Sequence, residues 1–392
     1  MKIVLVHNFY QQPGGEDTVF ASESTLLRQN GHEVVEYIED NHHINKMSRF
    51  NVAAQTIWSH RSRQKMLRFL RDTQCDIAHF HNTFLLISPS AYYACREAGV
   101  PVIQALDNLR LFCPAATFYR DGQICEDCLG KMLPWPGILH SCYRGSRAQT
   151  SVVVAMLAIH RWLKTWEKQV DIYIASTEFY RQKFIEGGLP AEKLVVKPHF
   201  VNPDPGFKTG GSGNYALFIG RLDPEKGVRT LLRAWQLVKG IPLKIRGDGR
   251  LLKEVQDFIK KNHLGSIEIV NYLSKEELNL LIKGARFLVW PSEGHYETFG
   301  LVAIEAFACG IPVIASRTGV MSTIVEDGRT GLHFTTGDPR DLATKAEWAW
   351  NHTLTIAKMG QEARREYEAE YSADRNYEML MKIYDRAMRD RK

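Results

Sequence analysis

No stretch of this chain approaches the roughly twenty consecutive apolar residues that carry a helix across a bilayer, so no integral membrane span is expected. The opening Met1 to Asn8 has too short an apolar run for a signal peptide and lacks a small-residue cleavage site. It reads instead as a first buried strand, and the expected location is cytosolic. Charge of one sign is also scarce: +6 over 392 residues is too mild to argue for nucleic acid, and no stripe of interleaved aromatic and basic residues suggests an RNA partner. Tandem repeats and low-complexity tracts are missing. What remains, 44% hydrophobic and 24% charged residues, describes an ordinary globular protein, longer than one core usually serves. Two domains are the expectation.

Short apolar runs alternate with helical patterns, which predicts parallel sheets in an α/β fold. A first series places strands near Lys2 to His7, Glu33 to Ile38, Asp76 to His81, Pro101 to Leu106 and Asp171 to Ser176, with helices that include Glu16 to Asn30 and Pro89 to Ala98. Pro203 to Asn214, rich in Pro, Gly, Asp and Ser, breaks both periods and reads as a linker. A second series follows near Tyr215 to Gly220, Leu243 to Arg246, Ile267 to Val270, Phe287 to Trp290, Val313 to Ser316 and Gly331 to Phe334. Both series have the doubly wound pattern.

The most informative segment is His295-Tyr296-Glu297-Thr-Phe299-Gly300-Leu301-Val-Ala-Ile-Glu305. A strand delivers this loop and an Ala-rich helix leaves it, so the free N–H groups near Phe299, Gly300 and Leu301 can hold an anion. Glu297 can accept bonds from sugar hydroxyls, and Glu305, further along the helix, can reach a ribose. Upstream, Phe218-Ile-Gly220-Arg221-Leu-Asp-Pro-Glu-Lys226-Gly227 sets a guanidinium fork and an ammonium point charge within six residues, a complementary pair for a diphosphate. A solvated helix face would explain the glutamate pair alone, but not the two motifs together.

These two segments resemble the signatures of retaining glycosyltransferases of family 4, and the resemblance runs nearly end to end. It implies the GT-B architecture: two Rossmann-like domains facing a central cleft, with a last helix, Asp374 to Arg389, crossing back to the first. The domain ranges expected are 1–202, 203–373 and 374–392. In family members, residues matching Arg221 and Lys226 contact the donor diphosphate, and those matching Glu297 and Glu305 contact the donor sugar and ribose. The nucleotide base is read mainly by backbone and variable side chains, here around Gly247 and Tyr272. The resemblance further implies a retaining mechanism without a catalytic metal, and no convincing Asp-x-Asp metal element of the other major glycosyltransferase architecture is present.

The first domain would supply the acceptor side and part of the phosphate site. Gly14 and Gly15, in Gln11-Gln12-Pro13-Gly14-Gly15-Glu16, open a helix after the first strand and allow close backbone approach. Any tight strand-to-helix turn would also use them. His79 and His81 point to one face of a strand; His81, at its carboxyl end, is an acceptor-side candidate, whereas His79 reads as structural. Family members commonly read Thr-Leu-His-Asn where this chain has Ala105-Leu106-Asp107-Asn108, and their histidine contacts the donor sugar. Asp107 can only accept hydrogen bonds when ionised, and it adds negative charge near a diphosphate. Three readings stay open: a variation that retunes donor choice, an impaired site, or Asp107 as the base that takes the acceptor proton. Asn108 and Arg110 join His81 as acceptor-side candidates, and Asp107 is read as a catalytic candidate at the sugar site.

Cys113, Cys125, Cys128 and Cys142, four of the seven cysteines, fall in one insertion, about residues 109–147, and resemble a zinc knuckle. His140 is a substitute ligand, and reduced thiols are the bland alternative. Cys75, Cys95 and Cys309 read as small buried side chains. Two basic, apolar segments, His60 to Arg71 and Met156 to Trp166, could lie on anionic lipid as a peripheral contact, though a solvated basic face explains them as well. The combined expectation is a glycosyltransferase that moves a sugar from a nucleotide-sugar donor to a saccharide or lipid-linked saccharide acceptor in surface polysaccharide or glycoconjugate synthesis. A sugar-nucleotide epimerase or phosphorylase of the same fold, and a non-catalytic sugar-nucleotide sensor, are the alternatives.

Overall fold

The computed structural model describes residues 1–11, 14–207, 213–294 and 297–390. Its contacts divide the chain into two units, one of residues 1–120, 125–198 and 376–392, the other of residues 121–124 and 199–375. In the first, strands β1 (Lys2–Phe9), β2 (Glu33–Asp40), β3 (Ile77–Phe80), β4 (Val102–Leu106), β5 (Ile172–Ala175) and β6 (Leu194–Val196) pair in parallel in the order β2-β1-β3-β4-β5-β6. Both faces of such a sheet are covered, which is why Ile77–Phe80 and Val102–Leu106 are buried at every position, the polar His79 and Gln104 included. The three-residue β6 is too short to announce itself by pattern.

In the second unit, β7 (Ala216–Ile219), β8 (Leu243–Arg246), β9 (Ile267–Val270), β10 (Phe287–Trp290), β11 (Val313–Ser316) and β12 (Gly331–Phe334) lie in the order β9-β8-β7-β10-β11-β12, again all parallel. Strand order reverses between β1 and β3 in the first sheet and between β7 and β10 in the second. Ligands of doubly wound sheets bind beyond the strand carboxyl ends at such reversals. The loops leaving β7 and β10 are the two signature segments, and those leaving β1 and β3 carry Gly14 and His81.

The helix Ala373–Arg389 belongs to the first unit from Asn376 onward. It buries Leu380, Ile383, Tyr384 and Ala387 among Ile3, Leu5, Phe20 and Ile77, as the expected crossover requires. Within the expected linker, residues 208–212 lie outside the described residues, but its flanks are docked in the second unit. Asp204 pairs with Arg364 at 2.6 Å, and a Cβ on Gly213 would stand 2.1 Å from the Ala285 backbone.

Leu380 is fully buried under the first sheet. Leu380→Ala should therefore cost about 2–5 kcal/mol through lost burial and a residual cavity. Chemical denaturation of the two proteins side by side measures it; an unchanged midpoint would mean that this helix does not complete the core.

Candidate functional site

In the second unit the two signature segments, some seventy residues apart in sequence, are knitted together. The Glu225 carbonyl accepts from the N–H groups of Glu293 and Gly294, at 2.9 and 3.0 Å. Gly227 sits at φ +69° so close to the Pro291 carbonyl that a Cβ would stand 1.8 Å from its oxygen. Only glycine meets both demands. Across this seam Lys226 Nζ lies 2.5 Å from Glu297 Oε1, while Ser292 donates to Glu297 Oε2 at 2.9 Å. Burial works to raise the Glu297 carboxyl, but the Lys226 ammonium and the Ser292 hydroxyl outweigh it and hold the group below the usual carboxylate range.

Arg221 reaches Asp223 at 2.9 Å and Glu225 at 3.2 Å yet remains 61% exposed, and Arg250 shares the same two carboxylates at 3.0 and 3.6 Å. The result is a set of cations preorganised by carboxylates, with guanidinium surface still free to meet an anion. Gly300, at φ +92°, turns the chain into the helix Leu301–Ala308, so the first N–H groups of that helix border the Glu297 loop. Glu305 lies within the helix, its carboxyl pushed up to about 7 by burial that the Lys275 ammonium only partly offsets. Gly247 packs on Gly220, where a Cβ would stand 1.9 Å from the Gly220 carbonyl oxygen. Tyr272 is 86% exposed, with the Arg246 guanidinium 5.4 Å from its ring centroid. The sequence singles out Phe299 for its backbone N–H. Its side chain is buried against His199 and Tyr371, so that only its backbone is left to meet a ligand. His295 and Tyr296 lie outside the described residues.

In the first unit, Gly14 caps the helix Gly15–Gln29, and its N–H donates to Asp17 at 2.9 Å. A Cβ on Gly14 would meet nothing within 4 Å, so local packing does not explain the glycine. Gln12 and Pro13 lie outside the described residues. The acceptor-side candidates His81, Asn108 and Arg110 and the sugar-site candidate Asp107 line one cavity of about 50 Å³. Asn108 donates to Glu16 at 2.8 Å and accepts from the Arg110 N–H at 2.9 Å; the Arg110 guanidinium lies over the rings of Phe84 and Tyr143.

Behind that cavity is a buried charge network. Glu23 is contacted by Lys197 at 2.5 Å, His81 at 3.3 Å and His79 at 3.5 Å, and the other ring nitrogen of His81 lies 3.7 Å from Asp107. Burial would lower the His81 pKa, but the two flanking carboxylates push it up to about 9, so it is an imidazolium at neutral pH. His79, by contrast, is driven down to about 3 by burial and stays neutral, hydrogen-bonded to Tyr384 at 2.9 Å. Glu23, His79 and His81 are the group of metal-ligand type whose donor atoms lie within 4.8 Å of one another among the described residues. The Lys197 ammonium and the His81 proton already neutralise that carboxylate, and a dication would have to displace both.

The four insertion cysteines are free thiols and do not form such a group among the described residues; the Cys128 thiol donates to the Pro134 carbonyl. Asp223, Glu225, Arg250, Ser292, Glu16 and Glu23 were not singled out by sequence. For Glu23 and Glu16 a signal existed: they fall at the spacing of Phe20 and Leu27, which places acids on the buried face of a helix. The Glu16 carboxyl is pushed up to about 7 by burial and by Asp107.

Comparison with known proteins agrees with this geometry. Residues 206–366 match the model of glycosyl transferases group 1. An uncharacterized glycosyltransferase of Methanocaldococcus jannaschii is 35% identical over 177 residues, 45% of this chain and 49% of that protein. A D-inositol 3-phosphate glycosyltransferase of Mycolicibacterium smegmatis is 32% identical over 180 residues, 44% and 40% of the two chains. The chain thus matches about half or less of these relatives' length. Among solved structures, sucrose-phosphate synthase from Thermosynechococcus elongatus superposes with a TM-score of 0.73 at 16% identity over 98% of both chains. Anabaena HepE, in complex with UDP and glucose, superposes at 0.70 and 15% identity over 97% of this chain and 98% of that one. Residues 206–366 therefore carry the domain of glycosyl transferases group 1, and the chain that holds it has the GT-B fold.

Proposed function

We propose that this chain is a retaining glycosyltransferase that moves a sugar from a nucleotide-sugar donor to a saccharide or glycolipid acceptor in surface polysaccharide or glycoconjugate synthesis. The observation that carries the reading is the seam between the signature segments, where Lys226 and Glu297 are paired at a strand-order reversal beside an open helix N-terminus. Arg221 and Lys226 would stabilise charge developing on the departing diphosphate, with the helix start at Gly300 and Leu301 adding N–H donors. Glu297 would accept from sugar hydroxyls. Glu305, its carboxyl pushed up to about 7 by burial, can donate to or accept from a ribose diol. Gly247 and Tyr272 would border the base. These cations supply the charge that a divalent metal supplies elsewhere, which supports a metal-independent transfer.

Asp107 bears on whether the site is active. Its carboxylate is buried next to the His81 imidazolium, so its charge is compensated inside the first unit and need not oppose a diphosphate. This favours an adapted enzyme over an impaired one or a sensor. The Asp107, Asn108 and Arg110 cluster would then face the acceptor, with Gly14 and Gly15 leaving room for close approach.

Arg221→Ala should lower the transfer rate by roughly 10²-fold, the loss of about 3 kcal/mol of transition-state stabilisation, with the fold intact. Lys226→Ala should lose at least as much, because it also strips Glu297 of its counter-charge. Nucleotide release from a panel of nucleotide-sugars with supplied acceptors measures both; near-normal turnover in the two variants would remove the diphosphate assignment.

Asp107→His would set a second imidazole against His81 and leave that cation short of a partner. Its initial rate should fall at least tenfold with any donor this chain accepts. A histidine form as fast as the parent would instead mean that Asp107 is dispensable.

A pH dependence follows from His81. Its folded pKa, about 9, exceeds its unfolded value near 6.5, so its contribution to stability is fully present below about pH 6.5 and is lost as pH rises through 9. His81→Gln, which leaves Glu23 and Asp107 without the cation between them, should cost about 3–5 kcal/mol at pH 6.5. The deficit should narrow towards pH 9.5. Urea midpoints of both proteins at the two pH values test it, and a deficit that does not change with pH would assign His81 as a neutral side chain.

A further inference from the structure

Six large apolar side chains stand in solvent on two adjoining elements: Met132 (60% exposed), Leu133, Trp135 and Leu139 from the insertion, with Ile159 and Trp162 (77% exposed) near the end of the helix Arg147–Trp162. They form one face. The short helix Trp135–Leu139 packs against Arg147–Trp162, and the Arg161 guanidinium donates to the carbonyls of Lys131 and Met132, which holds that turn beside Trp162. The opposite sides of these elements, including Val153, Val154, Leu157 and Pro136, are buried, so the exposed set is a second apolar surface and not a frayed core. Single exposed apolar residues are ordinary, but six on two packed elements are not.

Charge identifies the occupant. Between Cys128 and Val170 the sequence has six lysines and arginines against one acid, Glu167, which pairs with Lys164 at 3.7 Å. Lys131, Arg144, Arg147 and Lys168 are exposed. Tryptophans settle at the headgroup level of a bilayer, apolar neighbours enter below them, and lysines and arginines reach back to anionic headgroups. The other basic segment is built differently. In the helix His60–Thr73, Met66 and Leu70 are buried, while Arg63 and Arg71 pair with Glu97 and Lys65 pairs with Glu39.

We propose that the face made by residues 131–139 with Ile159 and Trp162 docks the protein onto an anionic lipid bilayer. The assignment does not depend on which sugar or acceptor is used. Sedimentation with vesicles of phosphatidylglycerol and phosphatidylethanolamine should carry down most of the protein at 0.1 M salt, and vesicles of phosphatidylcholine little of it. The triple variant Leu133→Ser, Trp135→Ser, Trp162→Ser, with an unchanged melting temperature, should partition at least tenfold less. Failure of the parent protein to bind anionic vesicles would overturn the proposal, as would equal binding by the variant. A vesicle-free dimer that the same substitutions dissociate would also overturn it, by giving the face to a second copy of the chain.

Discussion

The first unit is organised around one carboxylate that has almost no access to water. A buried charge is tolerated only when it is paired. Glu23 is hydrogen-bonded through Oε1 to the Lys197 ammonium and ion-paired through Oε2 with the His81 imidazolium, both drawn from distant parts of the sequence. Lys197 follows β6 and also donates to Asn376, at the start of the last helix, while His79, beside Glu23 on β3, is held by Tyr384 of the same helix. The helix Gly15–Gln29, β3, the segment after β6 and the returning helix must all be in place before the carboxylate is satisfied. Lys197 and Asn376 also sit next to the two points where the chain leaves and re-enters this unit. Asp107 is attached to the network through His81, so the candidate acceptor pocket inherits its electrostatics from a core interaction.

The second unit reaches its site by a different route, through backbone held against backbone. Gly220 and Gly247, and Gly227 and Pro291, approach at distances that leave no space for a Cβ. Side chains are then reserved for charge: Asp223 and Glu225 hold Arg221 and Arg250, and Glu297 holds Lys226. An anion entering the site would meet cations already held in place by these carboxylates, so they need little reorganisation to receive it.

Sequence pattern was sufficient for eleven of the twelve main strands because they are short, mostly apolar runs bounded by turns; β6 escaped because three residues carry no period. The candidate donor-side residues stand out in the sequence for a similar reason. Arg221 and Lys226 are five apart, Glu297 and Glu305 eight apart, and each pair lies on one local turn. The partners that tune them were not legible, since Ser292 matters only once a loop folds back, and Arg250 only once β7 and β8 lie side by side. The same limit applies to Asp107. Its sequence departure suggested an unfavourable charge, whereas the compensating His81 is 26 residues away and acts through a strand pairing that no local pattern encodes. The insertion cysteines carry a recognisable spacing, and their thiols are near enough to act on one another: burial, then the charges of Cys113, Cys142 and Cys125, push the Cys128 thiol up to about 11.

Gly300 illustrates how such packing restricts the routes by which a sequence can drift. Its backbone is left-handed, and a Cβ there would enter the ring of Trp290 at 2.1 Å. A substitution at 300 is therefore blocked unless position 290 has first lost its indole. That earlier change would itself open a void at the end of β10, beneath the loop that carries Glu297. The two positions are locked in historical order as well as in space: neither single step leads downhill, and variation among descendants of this chain should be found around the pair sooner than within it.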